Sequence, residues 1–293
     1  DITVHAEADM PIQEVQRMCR DIIRENIRHV RHGATSRVIE VRSDAYSRVT
    51  LIPMLQDLSH HDDERLWAYS DDISGKRRRG RSPAYILDGP GGTGKTSFAM
   101  AVGELMGGMT LVLGADQMGN GTLSTIVEAL TPDIVIIDDF DKTQAHERSM
   151  FYTTLLTLRA NYPMTAWFMT TNNAPALGAP VLRPGRGGVL KPFLAPNSGD
   201  RIKILIRAGM PAEAAVQAGP ELTDGMTHDW VSYLAAEYEQ YPHRLNGLVA
   251  EWNVNWAIAN GLGREAIAEA LTHVEGAGVL GVRTKAPPPP VWK

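Results

Sequence analysis

The hydrophobic pattern changes character twice along the chain. In residues 11–32, Ile12, Val15, Cys19, Ile22, Ile23, Ile27 and Val30 recur at helical spacing, while Arg17, Arg20, Arg24, Arg28 and Arg31 cover much of the remaining surface. That pattern predicts an amphipathic helix stopped by Gly33. Two short strand-like runs at 37–41 and 48–52 flank the turn-rich stretch 43–47 and predict a hairpin. A helical stretch follows at 62–73, then a dense cationic run, Lys76-Arg77-Arg78-Arg79-Gly80-Arg81, which reads as a solvated linker. From residue 84 strands and helices alternate. Strands are predicted at 84–88, 110–114, 133–138, 165–170 and 189–194, with helices at 95–106, 121–130 and 144–160. Alternation of this kind predicts a parallel sheet covered on both faces. After Pro196 only helical periodicity remains, at 199–208, 227–239, 243–260 and 264–273, separated by Gly or Pro.

The expected organisation is an N-terminal region at 1–80 and an α/β domain at 81–196. A small helical unit follows at 197–275, then an extended tail at 276–293 containing Pro287 to Pro290. A chain of 293 residues can bury two such units. Hydrophobic and charged contents of 43% and 22% place it among globular proteins rather than disordered ones. The net charge of −5 argues against a chain built to blanket a polyanion and leaves room only for local basic patches. The single cysteine, Cys19, excludes an intramolecular disulfide framework and any cysteine-rich metal site. No apolar run reaches the length needed to span a bilayer, and the first ten residues are too acidic and polar for a signal peptide. A cytoplasmic location is the resulting expectation.

The chemistry is carried by a few short stretches. The apolar run Tyr85-Ile86-Leu87 leads into Gly89-Pro90-Gly91-Gly92-Thr93-Gly94-Lys95-Thr96-Ser97, with the spacing Gly-x-x-x-x-Gly-Lys-Thr between a predicted strand and a predicted helix. Backbone N–H groups can wrap a polyphosphate only where no side chain blocks the approach, and the helix N-terminus adds unsatisfied donors. Lys95 is placed to reach the β- and γ-phosphates, and the Thr96 hydroxyl to ligate Mg²⁺. Downstream, Ile134-Val135-Ile136-Ile137 delivers Asp138 and Asp139 to the C-terminal edge of a strand, where ligands of open α/β sheets bind. Asp138 is expected to hold Mg²⁺ and Asp139 to orient or deprotonate the attacking water. Asn172, after Phe168-Met169-Thr170-Thr171, ends the adjacent predicted strand and can position that water. Arg183 and Arg186 flank Pro184-Gly185, a placement that suits insertion into a neighbouring subunit's site.

These segments, in this order, resemble the AAA ATPases of the AAA+ superfamily. The branch most similar is that of the mitochondrial Rieske-protein translocase, on Phe-Met-Thr-Thr-Asn and Arg-Pro-Gly-Arg. The resemblance covers roughly residues 80–275. It implies an α/β P-loop fold with a five-stranded parallel sheet and a four-helix lid, assembled as a ring that is usually hexameric. It makes Asn172 the sensor 1 residue and Arg183 and Arg186 the trans-acting fingers. Tyr241-Pro242-His243-Arg244 looks like the sensor 2 motif of the wider superfamily, whose Arg contacts the γ-phosphate. Two positions differ from the family: Asp139 stands where a Glu is usual, and 115–121 lacks the pore-loop aromatic of unfolding members. The expected activity is ATP hydrolysis with Mg²⁺ by a homo-oligomeric ring that remodels or translocates a macromolecule, protein rather than DNA. The rival is a DNA-associated ATPase of replication or recombination, suggested by the Arg-rich helix, the 76–81 run and Arg244.

Overall fold

The computed structural model of the chain describes residues 37–43, 49–54, 63–114, 122–143, 145–182 and 188–261, with isolated positions at 11, 14, 17, 18, 21 and 58. Most of the predicted 11–32 helix, the 115–121 loop, Arg183 and Arg186, the 264–273 helix and the proline-rich tail lie outside these residues. The described residues divide between two compact units. One holds Lys95–Pro192 and the described residues up to and including Asp88. The other joins Gly89–Gly94 to the segment from Phe193 onward.

The first unit is built on one sheet. Its strands are β1 (Val38–Ser43), β2 (Val49–Pro53), β3 (Ala84–Asp88), β4 (Thr110–Gly114), β5 (Ile134–Asp138), β6 (Ala166–Thr171) and β7 (Val189–Pro192). They lie in the order β2-β1-β4-β5-β6-β3-β7. The five strands from β4 to β7 are mutually parallel, as the βα alternation predicts. The sheet nevertheless has seven strands, not the expected five. β1 pairs parallel with β4, Ile39 opposite Leu111 and Val41 opposite Leu113, and β2 pairs antiparallel with β1. The hairpin thus belongs to the same sheet as β3 to β7. The reason is burial: Ile39 and Val41 point into the same apolar cluster as Leu111, Leu113, Val135 and Ile137. Glu40 and Arg42, on the opposite face of β1, pair with each other at 2.8 Å.

Helices cover both faces. The apolar cluster on one face is closed by α3 (Thr122–Leu130) and α4 (Ala145–Asn161), through Leu123, Val127, Leu155 and Leu158. On the other face α1 (Asp63–Arg78) and α2 (Lys95–Met106) meet the sheet through an aromatic group. Tyr69 of α1 lies 5.1 Å from Tyr85 and 5.0 Å, edge-on, from Phe98 of α2, and Tyr85 stacks on Phe168 at 5.0 Å. Helix α1 also absorbs the cationic run. It continues to Arg78, so Lys76, Arg77 and Arg78 form its last turn, where they complement the negative end of the helix dipole. Lys76 bonds Asp72 at 2.7 Å, and the half-buried Arg77 donates to the Asp133 carbonyl at 2.7 Å. The linker expected at 76–81 is, up to Arg78, a packed helix terminus.

The second unit contains α6 (Ser198–Arg207), α7 (Ala212–Glu221), α8 (His228–Gln240) and α9 (Leu245–Ala259); α5 (Ala179–Leu182) belongs to the first. Its core includes Leu205, Ala215, Met226, Leu234, Val249 and Trp252. Helix α7 is absent from the sequence expectation because its buried face is made of Ala214, Ala215, Ala218 and Gly219, too small to give an apolar stripe. Small residues are required there: a Cβ on Gly219 would fall 2.6 Å from Ile202 Cγ1. Asn253 holds the α7–α8 connection, accepting from Thr223 N–H at 2.9 Å and donating to the Glu221 carbonyl at 2.8 Å. No helix of the described residues is long and apolar enough to cross a membrane.

If β1 is integral to the sheet, Ile39→Ala should lower the unfolding free energy of the domain by about 2–5 kcal/mol, as for other buried Ile truncations. Denaturant titration measures this, and an unchanged midpoint would return the hairpin to an independent region.

Candidate functional site

Three buried strands place the site. β5 is apolar up to Asp138, β6 is buried along its whole length to Thr171, and β3 ends at Asp88. Because β6 pairs with both β5 and β3, the ends of these strands are brought side by side. Asp88 accepts from the Ala174 N–H at 2.9 Å, which ties the chain leaving β6 to the end of β3. Helix α2 then presents Lys95 and Thr96 in its first turn, followed by Ser97.

The side chains form one connected network. The Thr96 hydroxyl donates to Asp138 Oδ1 at 2.5 Å, and the Thr170 hydroxyl donates to the same oxygen at 2.6 Å. Thr170 Oγ1 in turn accepts the Asp139 N–H at 2.9 Å. Lys95 Nζ donates to Asn172 Oδ1 at 2.9 Å, and Asn172 Nδ2 lies 3.4 Å from Asp139 Oδ1. Lys142 Nζ donates to Asp139 Oδ2 at 2.5 Å, and Asp141 Oδ1 accepts the Asn172 N–H at 3.2 Å. Lys95, Thr96, Asp138, Asp139 and Asn172 are therefore brought together, as their strand-end and helix-start positions predict.

The electrostatics follow from burial. Lys95 is buried, and loss of hydration lowers the pKa of its ammonium, although Asp139, Asp138, Asp141 and Asp88 all act to raise it. An ammonium held dry among carboxylates is poised to meet an anion with little further desolvation. Lys142 is exposed, and its hydrogen bond to Asp139 raises its pKa.

Asp139 has a left-handed backbone, φ 53° and ψ 46°, and opens a 3-10 turn over Phe140–Lys142. The turn swings Phe140 into the core, 5.2 Å from Phe151, while leaving the Asp139 carboxylate partly exposed. Among residues with a side chain, Asp and Asn tolerate this conformation best. That is a physical reason for Asp rather than Glu at this position.

The loop Gly89–Gly94 is described within the second unit. Gly92 and Gly94 have φ of 76° and 80°, open to glycine without strain. Gly92 is also crowded: a Cβ there would meet Thr227 Oγ1 at 2.8 Å and Asp229 Oδ2 at 2.9 Å, and its carbonyl accepts the Asp229 N–H at 3.2 Å. The N-terminus of α8 therefore rests on the loop itself. Thr93 Oγ1 donates back to the Pro90 carbonyl at 2.8 Å. Arg244, in the second unit, pairs with Glu251 at 2.9 Å. Arg183 and Arg186 lie outside the described residues.

Among the described residues no group of three or more His, Cys, Asp or Glu forms a metal cage. The Thr96 hydroxyl beside the Asp138 carboxylate instead offers the few hard oxygens that suit Mg²⁺ shared with phosphates. Three network members were missing from the sequence expectation: Thr170, Asp141 and Lys142. Thr170 had a readable signal. It is the next-to-last residue of β6, two before Asn172, and so stands at the same strand end. Asp141 and Lys142 depend on the left-handed kink, which spacing does not reveal.

Residues 85–190 match the model of the ATPase family associated with various cellular activities (AAA). The matched segment runs from within β3 to within β7 and contains every member of the network. It does not distinguish the Rieske-translocase branch from others. No curated protein matches the chain.

Lys95→Ala should weaken ATP binding by roughly 10- to 100-fold, the cost of losing a charged hydrogen-bonding partner. Isothermal titration reads this directly, and wild-type affinity in the variant would remove Lys95 from the binding site.

Proposed function

We propose that the chain is an AAA-type ATPase that hydrolyses ATP with Mg²⁺ and assembles as a homo-oligomeric ring, hexameric by resemblance. The observation that carries this reading is the convergence of Lys95, Thr96, Asp138, Asp139 and Asn172 at the ends of adjacent strands, taken with the phosphate-binding spacing of the sequence that precedes Lys95. By their spacing, Gly89 to Gly94 would wrap the phosphates through backbone N–H groups, and Ser97 belongs to the first turn of α2. Lys95 leaves the Asn172 carboxamide for the β- and γ-phosphates. Thr96 and Asp138 would hold Mg²⁺, which would supply neutralisation of charge on those phosphates. Freed from Lys95, Asn172 remains beside Asp139, and together they orient the attacking water, with Asp139 as the proton acceptor. Arg244 would have to leave Glu251 to act as a sensor 2 residue.

The proposed substrate is a macromolecule, protein in preference to DNA. That preference rests on the resemblance; the structure withdraws from a DNA backbone two cations of the 76–81 run, Arg77 by the Asp133 carbonyl and Lys76 by Asp72, and leaves Arg78, Arg79 and Arg81 exposed. A location in the cytoplasm, the Rieske-translocase branch and the finger roles of Arg183 and Arg186 rest on the sequence.

Asp139→Asn keeps a residue suited to φ 53° and removes the proton acceptor. ATP binding should persist while turnover falls by about 10²–10⁴-fold, in line with loss of a general base. Phosphate release assays alongside nucleotide titration measure both, and unchanged turnover would reassign the role to another carboxylate.

The ring reading makes a separate claim. Arg183→Ala or Arg186→Ala should bind ATP normally yet lose much of the roughly 10³–10⁵-fold rate gain of a trans-acting finger. Mixing either with Lys95→Ala subunits should restore activity, because Lys95→Ala subunits still lend their arginines. Co-assembled mixtures that stay inactive would refute fingers acting in trans.

A further inference from the structure

The network contains one buried hydroxyl that touches both acidic residues and that the proposed chemistry does not itself use. Thr170 lies in β6 with its side chain sealed from solvent. Its hydroxyl proton goes to Asp138 Oδ1 at 2.6 Å, and its oxygen accepts the backbone N–H of Asp139 at 2.9 Å. A threonine hydroxyl has one proton to donate and lone pairs to accept, so both bonds can exist at once, with a defined direction. The acceptor bond falls on the residue whose backbone is left-handed, φ 53° and ψ 46°.

We infer that Thr170 is a positioning residue for the proposed hydrolysis: its hydroxyl holds the left-handed turn at Asp139 and links it to the Asp138 carboxylate, setting where the proton acceptor stands relative to the Mg²⁺ ligand. The inference rests on the ATPase reading. Three features of the geometry support it. Left-handed backbone is unfavourable for a residue with a side chain and persists where its surroundings over-determine it. The Asp139 N–H lies beyond the end of β5 at Asp138, and Thr170 supplies its acceptor. Finally, Thr170 acts on the Asp139 backbone N–H, whereas the side chains of Asn172 and Lys142 reach its carboxylate and the Lys142 N–H bonds its carbonyl at 2.9 Å. Without the hydroxyl the carboxylate stays but its direction is no longer held, and catalytic geometry is sensitive to displacements of about 1 Å.

Thr170→Val keeps the β-branched shape that suits a buried strand and removes the hydroxyl; Thr170→Ser keeps the hydroxyl and removes a methyl. In the full chain, Thr170→Val is expected to bind ATP with wild-type affinity and to lose at least about tenfold in kcat, in the range of small misplacements of a catalytic group. Its KM for Mg-ATP should move little. Thr170→Ser is expected to recover most of that kcat, which a role in packing alone would not predict. Independently of activity, the Asp139 amide of the nucleotide-free protein should exchange with solvent deuterium at least about tenfold faster in Thr170→Val and at near the wild-type rate in Thr170→Ser, as expected when an amide loses its acceptor. Wild-type kcat in Thr170→Val, wild-type Asp139 exchange in that variant, or a Ser variant as impaired as the Val variant would each overturn the assignment. A wild-type chain that hydrolyses no ATP would instead refute the ATPase reading, and the exchange rates would still decide whether Thr170 holds Asp139. Should Thr170→Val fail to fold, the same exchange comparison on Thr170→Ser and Thr170→Ala decides, equal rates in the two overturning the assignment.

Discussion

The carboxylate of Asp138 is the point on which the site depends. One oxygen, Oδ1, accepts from Thr96 at the start of α2 and from Thr170 on β6, so a single group fixes a helix, its own strand and the neighbouring strand. It can do so because the four residues before it on β5 are apolar and buried, leaving the chain no freedom to slide or rotate in register. A one-residue slip would carry the carboxylate about 3.3 Å along the strand and turn it to the opposite face of the sheet. The position of the acidic group is therefore set by the hydrophobic core, and the position of the helix is set in turn by the acidic group.

The turn after Asp138 converts that rigidity into reach. Phe140 must enter the core, and Asp139 absorbs the change of direction in one left-handed residue. The conformation costs about 1–2 kcal/mol for a residue with a side chain. Burial of an aromatic ring and the bond to Thr170 offset it. The same constraint accounts for the choice of side chain. Asp is tolerated at φ 53° better than Glu, so the shorter carboxylate follows from the backbone it sits on.

Lys95 illustrates how a charged group is kept ready. Its burial would be costly without partners. Here the Asn172 carboxamide receives its proton donors, and several carboxylates lie near enough to act on its pKa. A neutral partner is easier to exchange for a phosphate than an ion-paired one, because breaking a buried ion pair leaves an uncompensated charge. On the other side of Asn172 lies Asp139, so the residue that releases the lysine also faces the proton acceptor.

Much of this molecule was determined by local sequence. The Gly-x-x-x-x-Gly-Lys-Thr spacing, the apolar run before Asp138 and the alternation of strands with helices each encode a local rule, and local rules survive without knowledge of the rest of the chain. The site residues on strand ends and on the first turn of α2 were legible for that reason. Tertiary structure decided what depends on distant partners. Residues 37–41 and 48–52 look like any exposed hairpin until β4 offers an edge, and β1 takes it because Ile39 and Val41 then reach an existing core. The cationic run became a helix terminus because Arg77 found the Asp133 carbonyl, 56 positions away. Helix α7 is held by close packing of alanine and glycine, which leaves no periodic mark. Thr170 was visible in the sequence as a strand-end residue, but its two bonds depend on the left-handed turn at Asp139, which also brings Phe140 against Phe151.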